Sequence, residues 1–406
     1  MIRAMTFHTL TRVASILIVS LALALPARAV TLLRDADMEY ALAQVAAPVL
    51  KAAGLSAART KILVVNDSSL NAFVISNDAI YIHSGLLSRM DRAAMLQAVI
   101  AHEAAHIANG HITRRITNLG NARTAAGLGQ ALAVLAAAAG AGEGAVAIGI
   151  GSQSAAQRAF LRHTRAEESA ADQSGARYMR SAGVDVTGML DVFRLFRGQE
   201  ALSESRQDPY VRSHPLSRDR LRAIEGFAAA YGTGGAADAA AWDYWFARAK
   251  GKLTAFTRRP SWTLNRVGET GYQDIALMRE AAARHRNSQT RRAIAAIDKA
   301  IAMRPTDPFL YDLKGQILME TRQFASAVNA HGQAVRLRPN DGLLQAGYGR
   351  ALLATGNISA ALPALERARR ADFRDGSMLR DLSVAYARSG QRGMASLITA
   401  ERYALR

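Results

Sequence analysis

The sequence predicts an α+β fold: a mostly helical domain with a small sheet, followed by an all-α array of helical repeats. Two observations predict this arrangement. Between residues 61 and 83, three short apolar segments have the composition of strands and are separated by turn residues. After residue 273, small side chains and aspartates recur every 34 residues, a spacing typical of stacked helical pairs.

The composition excludes several classes of protein and of site. The chain has 406 residues, of which 50% are hydrophobic and 21% charged. This length suits two or three domains, and this balance argues against a disordered chain and a polytopic membrane protein. The chain has no cysteine, which excludes disulfides, thiolate metal sites and a cysteine nucleophile. Any bound metal must therefore be held by His, Asp or Glu side chains.

The basic charge is dispersed. The formal net charge is +18, and 45 of the 51 basic residues are Arg, without a run of five like charges. This pattern favours a solvated basic surface and argues against a nucleic-acid partner. An uncharged segment rich in Ala and Gly, residues 124–142, is long enough to cross a bilayer but only weakly hydrophobic. It predicts small-residue helices or a flap, and peripheral membrane contact stays open as the alternative.

Residues 1–29 have the three parts of a secretory signal peptide. Arg3 and Arg12 form a basic start, Val13–Leu25 is an apolar run of 13 residues, and an A-x-A pattern ends at Ala29. The apolar run is short for a membrane span, so an uncleaved anchor is the less favoured alternative. We predict export by the Sec route, cleavage after residue 29 and a location in the periplasm.

Local patterns predict the first elements of the mature chain. A helical pattern covers Asp37–Ala47 and should end or kink before Pro48. A later apolar helix should begin with Asp91 as its N-cap and stop at residues 109–110. Between them, apolar and β-branched runs predict three strands, the last two joined by a turn: Lys61–Val65, Asn71–Ile75 and Ala79–His83.

Residues 102–106 form an H-E-x-x-H motif within the later helix. The i, i+4 spacing puts His102 and His106 on one helix face, where two imidazoles can bind the same metal ion. Glu103 then lies beside the first imidazole, where its carboxylate can take a proton from a metal-activated water. A purely structural polar helix is the alternative, but burial of unpaired polar side chains is costly. The motif therefore predicts a metalloprotease.

A third metal ligand must come from outside this motif. His111 is the local candidate, but the chain lacks the glycine and the third histidine of the metzincin pattern. The distal candidate is Glu168, which lies one helical turn before Asp172 on the same face of a predicted helix. We favour Glu168 as the ligand, with Asp172 orienting an imidazole or donating a proton. Glu167 is the alternative ligand.

The C-terminal recurrence is regular over four units. Asp307, Asp341 and Asp375 are 34 residues apart, and the twentieth position of each unit is alanine when units start at residues 274, 308, 342 and 376. Helices can cross closely only where both present small side chains, which explains the alanines. The spacing resembles the tetratricopeptide repeat, an array that normally forms a concave protein-binding surface.

Together these motifs resemble those of the HtpX/BepA-like zinc metallopeptidases, above all the secreted members with C-terminal tetratricopeptide repeats. The shared features are the H-E-x-x-H motif, the distal Glu-x-x-x-Asp, an Asn-Ala-Phe segment and a later His-Pro pair. Thr164 departs from the serine that is usual before the arginine at position 165. The resemblance covers nearly the whole chain after residue 29 and implies a zincin-like catalytic domain.

The resemblance also implies roles for individual residues. It implies one Zn²⁺ per chain bound by His102, His106 and Glu168, with Glu103 as general base. Asp172 is implied as a further catalytic residue, sometimes assigned as the proton donor. His214 is expected as a fourth ligand that keeps the enzyme latent or as an oxyanion donor, with a surface role as the alternative. The edge strand that binds substrate is expected at Asn71, Ala72 and Phe73.

These expectations combine into one function and four segments. The chain is expected to be a periplasmic zinc endopeptidase with chaperone-like activity that degrades misassembled outer-membrane proteins, with repeats that recruit substrate or dock on the assembly machinery. The alternative is a repeat-based chaperone or scaffold with a latent protease. The segments are a signal peptide at 1–29, a zinc metalloprotease domain at 30–231, a linker with a connecting helix at 232–273, and four repeats at 274–406.

Overall fold

The computed structural model describes residues 31–114, 117, 165–203, 206–232 and 234–405. The signal-peptide prediction and the Ala/Gly-rich segment 124–142 lie outside these residues. Leu32–Leu405 form one compact unit. Within the described ranges, no helix combines the length and the apolar character that a membrane span requires.

A small mixed sheet forms the first layer, with strand order β1-β2-β4-β3. Strands β2 and β4 are parallel, and the outer strands β1 and β3 pair antiparallel with them. Two predicted strands have the observed bounds, β3 begins one residue later than predicted, and the two-residue β1 was not predicted. The strands are β1 Leu32–Leu33, β2 Lys61–Val65, β3 Ala72–Ser76 and β4 Ala79–His83.

Helices cover the inner face of this sheet, where Ile62, Val64, Ile80 and Ile82 are buried in the main core. They alternate with the strands or follow them along the chain. In the described part of the first domain and the connection, the helices are α1 Ala36–Ala52, α2 Ser84–Arg89, α3 Ala93–Ala108, α4 Arg165–Ser181, α5 Thr187–Leu195, α6 Pro209–Ser213, α7 Arg218–Tyr231, α8 Ala239–Thr257 and α9 Pro260–Leu264.

Two helix boundaries differ from the predicted ones. Helix α1 continues through Pro48 to Ala52, so of the two predicted outcomes, an end or a kink before Pro48, the end was wrong. Val49 and Leu50 are fully buried in the core, and their burial offsets the backbone hydrogen bond that proline cannot make. Helix α3 has Arg92, not the exposed Asp91, at its N-cap position. It ends as predicted, because Gly110 adopts a positive φ of 69°.

The C-terminal part consists of antiparallel helix pairs, which confirms the predicted fold class. The aspartates that recur every 34 residues are N-caps: the carboxylates of Asp307, Asp341 and Asp375 accept hydrogen bonds from backbone N–H groups of the helices they precede. A Cβ on Gly349 would lie 2.6 Å from the Leu365 side chain, which explains one of the small residues. The pairs are α10 Gln273–Arg286 with α11 Thr290–Met303, α12 Pro308–Glu320 with α13 Phe324–Leu337, α14 Gly342–Ala354 with α15 Ile358–Ala371, and α16 Gly376–Arg388 with α17 Arg392–Ala404.

Helix α8 connects the two parts and packs against both α1 and α10. The Arg248 side chain is 1% exposed. Its Nε lies 2.5 Å from Asp37 Oδ1 in α1, and its Nη1 lies 2.5 Å from Asp307 Oδ2 in the repeats. A second contact joins Asp372, between α15 and α16, to Arg34 at 2.8 Å. The repeats are therefore bound to the first elements of the chain by buried ion pairs.

Candidate metal centre

Two crossing helices bring the predicted metal-binding side chains together. Helix α3 is buried on nearly all sides and packs under the sheet. It presents His102 and His106 on one face, with their Nε2 atoms 3.1 Å apart. Helix α4 packs across α3 and places the Glu168 carboxylate 3.5 Å from the His102 Nε2 and 3.4 Å from the His106 Nε2.

His214 completes the group from a distant part of the chain, just after helix α6. Its Nδ1 lies 3.3 Å from the His102 Nε2 and 3.0 Å from the Glu168 Oε1. The four side chains are buried, and one donor atom from each lies within 4.8 Å of the others. The arrangement therefore offers three imidazole nitrogens and one carboxylate as potential metal ligands.

The donor atoms fit a divalent cation. Bonds of about 2.0–2.2 Å in a tetrahedron separate neighbouring ligand atoms by about 3.3–3.6 Å. Five of the contacts among these side chains join their nitrogen and carboxylate oxygen atoms at 3.0 to 3.5 Å, and one donor atom from each of the four side chains lies within 4.8 Å of the others. Nitrogen and oxygen donors suit zinc and other first-row divalent ions. Burial of converging lone pairs is unfavourable unless a proton or a cation lies between them, so the group has the properties of a metal-binding site.

Two carboxylates set the electrostatics of this group. Burial by itself lowers the pKa of His102, but hydrogen bonds to Asp172 and Glu168 outweigh it and raise that pKa to about 10. Burial raises the pKa of Glu168, and His214, His102 and His106 together bring it well below its usual value. For His106 burial dominates, and its pKa is well below the ordinary value. The site therefore stabilises positive charge beside His102, whether carried by a proton or by a metal ion.

Asp172 and Arg220 support the ligands from behind. Asp172 Oδ1 lies 3.0 Å from the His102 Nδ1, the ring nitrogen that faces away from the metal-binding group. Arg220, in α7, donates to both oxygens of Asp172, and its Nη1 lies 2.8 Å from Glu168 Oε2. Burial raises the pKa of Asp172, but His102 and Arg220 outweigh it and lower that pKa. Asp172 is therefore an acceptor that orients the His102 ring.

Sequence reasoning missed Arg220. In a chain with 51 basic residues, one further arginine six positions after His214 gives no distinct signal. The structure reveals its role, because only 4% of its surface is exposed. Its guanidinium, from α7, contacts two carboxylates of α4, those of Glu168 and Asp172.

The remaining candidate residues lie at the periphery or outside the group. Glu103 is fully buried, and its Oε1 lies 3.4 Å from the His214 Nε2. His111 Nδ1 lies 2.8 Å from the His106 Nδ1, behind the second imidazole, where it can orient that ring. Glu167 points elsewhere, toward Arg114 at 3.9 Å, so of the two neighbouring glutamates it is Glu168 that joins the histidines.

The predicted substrate strand lies beside the metal-binding helix. Strand β3 forms one edge of the sheet in the described structure and packs against α3. Asn71 precedes it and accepts a hydrogen bond from the His83 backbone N–H at 2.9 Å. Ala72 is fully buried, and Phe73 stacks on Tyr81 with ring centroids 5.2 Å apart. These residues position a strand near the group without joining it.

Two family models match this chain. Residues 34–228 match peptidase family M48, and residues 318–383 match a tetratricopeptide repeat. The family match and the buried His/Glu group together support a metalloprotease.

Individual proteins resemble shorter stretches. The chain is 25% identical over 158 residues to the putative beta-barrel assembly-enhancing protease of Vibrio cholerae, and 23% identical over 158 residues to the beta-barrel assembly-enhancing protease of Escherichia coli. Each match covers 39% of this chain and 32% of the relative, so the chain spans about a third of the length of these relatives. The solved structure of MamA from Desulfovibrio magneticus RS-1 is 17% identical, with a TM-score of 0.34, covering 40% of this chain and 94% of that one.

Proposed function

We propose that this chain is a zinc-dependent endopeptidase of the periplasm, because residues 34–228 match peptidase family M48 and residues 318–383 match a tetratricopeptide repeat. We propose further that it acts, with chaperone-like activity, in the assembly and quality control of outer-membrane proteins. The observation that carries the peptidase proposal is the buried group of His102, His106, Glu168 and His214.

In this proposal, His102, His106 and Glu168 hold one Zn²⁺. A bound zinc ion supplies Lewis acidity that activates water and polarises the scissile carbonyl. Glu103 lies next to His102 on the same helix and is the general base, which holds the proton at its carboxylate and returns it to the leaving amine. Asp172 keeps the His102 Nδ1 protonated and the ring oriented. Arg220 keeps both carboxylates in place.

We assign His214 as a latch, meaning a side chain that occupies the fourth donor position and restrains the enzyme. Its Nδ1 is within 3.3 Å of donor atoms of His102 and Glu168. An oxyanion donor would instead point its N–H beside the metal, toward the carbonyl oxygen of the substrate. The observed position supports the latch, and it implies that α6 must move before substrate is cut.

Three observations support the cellular role. The pattern at residues 1–29 predicts export, and the two curated relatives are named for enhancing beta-barrel assembly. Tetratricopeptide arrays present extended surfaces to protein partners, so the repeats are proposed to bind misassembled substrates or the assembly machinery. The competing function is a scaffold with a latent protease. The position of His214 is compatible with it, because that side chain restrains the protease in both functions. Rescue of a deletion strain by a Glu103→Gln variant would support the scaffold.

Metal analysis and proteolysis test the peptidase proposal. We expect the purified mature chain to bind one zinc and to cleave casein, and a chelator to abolish cleavage. His102→Ala, His106→Ala and Glu168→Ala should each lose most zinc, whereas Glu103→Gln should keep zinc and lose cleavage. Glu167→Ala is the matched control, because its side chain points to Arg114. Stoichiometric zinc in Glu168→Ala and loss of zinc in Glu167→Ala would reverse the ligand assignment.

A further inference from the structure

One short segment touches both the metal-binding group and the start of the edge strand. Helix α6 ends at Ser213, and the next residue, His214, donates its backbone N–H to the Tyr210 carbonyl at 2.8 Å. Tyr210 in turn donates its backbone N–H to the Leu70 carbonyl at 3.2 Å. The Leu70 backbone N–H donates to the Asp208 carboxylate at 3.3 Å. Both backbone groups of Leu70 are therefore bound by the segment that carries His214.

The contact lies on the outer side of the sheet edge. Asn71 directs its carbonyl toward β4, where it accepts from His83. Because successive residues of a strand direct their backbone groups to opposite sides, the groups of Leu70 point away from β4, as do those of Ala72 and Val74. An added strand would pair on that side. Asp208 and Tyr210 thus occupy the place that an added strand would take at Leu70. Ala72, the next residue whose backbone groups point to this side, is fully buried.

Asp208 is held for this contact. It occupies the N-cap position of α6, yet its carboxylate makes no capping hydrogen bond to that helix. Gln199 fixes it instead, donating from Nε2 to Asp208 Oδ2 at 2.5 Å and accepting the Asp208 backbone N–H at 2.8 Å. The other carboxylate oxygen is directed at the Leu70 N–H.

We propose that Asp208 is a positioning residue that couples the binding of an extended peptide along β3 to the withdrawal of His214. The peptide takes over the N–H and C=O of Leu70, Asp208 and Tyr210 release them, and α6 carries His214 out of the fourth donor position. The ligand is recognised by its backbone in extended conformation, so unfolded or unpaired strand segments are the substrate class. This inference rests on the proposed function.

Steady-state kinetics of the zinc-loaded mature chain on a fluorogenic peptide test the coupling. Asp208→Ala removes one of the contacts that hold α6 at the edge, so we expect kcat/KM to rise about tenfold, chiefly through a lower KM. Asp208→Asn keeps an acceptor for the Leu70 N–H and should stay within about threefold of the parent. Asp219→Ala is the matched control, because that carboxylate is 92% exposed, and it should change nothing.

Peptide binding gives a readout that does not need turnover. In the Glu103→Gln background, fluorescence anisotropy of a labelled peptide should show a Kd about tenfold lower when Asp208→Ala is added. In a double-mutant cycle with His214→Ala, the combined rise in kcat/KM should be smaller than the product of the two single rises, because both substitutions remove contacts that hold residues 208–214 in place. If Asp208→Ala does not fold, Gln199→Ala replaces it, since it removes the support of the same carboxylate.

An unchanged Kd, a change in kcat alone, or gains that multiply in the cycle would each overturn the coupling. A zinc-loaded parent chain that cleaves no peptide would overturn the proposed function instead. The binding measurement in the Glu103→Gln background would then still decide whether Asp208 controls access to the edge.

Discussion

Arg220 donates two hydrogen bonds to the carboxylate of Asp172, from Nε to Oδ2 at 2.6 Å and from Nη2 to Oδ1 at 2.9 Å. The third guanidinium nitrogen lies 2.8 Å from Glu168. One planar side chain thus sets the position of the carboxylate in the metal-binding group and of the carboxylate that orients His102. Planar, bidentate geometry of this kind is specific to arginine.

We therefore expect Arg220→Lys to weaken metal binding although the charge is kept. Lysine cannot form the fork to Asp172 and reach Glu168 at the same time. Loss of such support typically costs 10- to 100-fold in metal affinity, an order-of-magnitude expectation. Zinc affinity measured by competition with a chromogenic chelator checks this, and Arg222→Lys, with a side chain that is 75% exposed, is the control. Equal affinities in the two variants would contradict the role of Arg220.

The position of His214 leads to a prediction on restraint. As a latch, His214→Ala should raise basal proteolysis and self-cleavage of the purified chain, because the fourth donor position is freed. As an oxyanion donor, the same change would lower kcat by roughly 10²-fold. Cleavage of casein and of the chain itself, followed over time at constant zinc content, separates the two roles. A fall in kcat would contradict the latch, and unchanged turnover and zinc affinity would leave His214 a structural residue.

The contact of Asp372 with the first part of the chain predicts a pH dependence of stability. Burial raises the pKa of Asp372, but Arg34 and Lys61 outweigh it and lower that pKa from 3.8 to about 2. A lowered pKa stabilises the folded state above the unfolded pKa, and the effect is lost as pH falls from about 4 to about 2. The shift corresponds to about 2 kcal/mol at neutral pH.

Urea unfolding of the wild type and of Asp372→Asn measures this contribution. The difference in free energy of unfolding should be about 2 kcal/mol at pH 7 and should shrink toward zero near pH 2. Asp298→Asn is the control, because the exposed Asp298 pairs only with Lys314 in the structure as described, and exposed pairs contribute little. A difference that is constant across this pH range would show that Asp372 does not act through its charge.

Removal of the repeats, residues 274–406, should preserve the metal site but weaken the remaining domain. The repeats supply none of the four donor side chains, so zinc binding and cleavage of an unfolded substrate should persist. They do supply Asp307 to the buried Arg248 and Asp372 to Arg34, and an ion that loses its buried partner is destabilising. Zinc content and urea unfolding of residues 30–273 check both parts. Loss of zinc on truncation would show that the repeats complete the site.

Within the described structure, much of the fold could be predicted from sequence because its signals are local. Apolar, β-branched runs bounded by turn residues placed β2 and β4, and the 34-residue recurrence of aspartates reflects N-caps of successive helices. The pairing of His102 with His106 follows from the helical period alone. Helix α1 does not end at Pro48, because the local cost of proline is offset by the burial of residues that only the tertiary structure brings into the core.

The sequence by itself determined the strands β2 and β4, the 34-residue repeat period, and the H-E-x-x-H and Glu-x-x-x-Asp pairs, since each is a pattern of residue types along the chain. Only the tertiary structure decided that Glu168 and not Glu167 joins the histidines, that Arg220 supports them, and that Asp208 binds Leu70. These contacts join residues 46 to 138 positions apart. Two conditions decide which side chains meet over such distances: how the buried helices pack, and the requirement that every buried charge has a partner. Neither condition produces a periodic pattern of residues along the sequence.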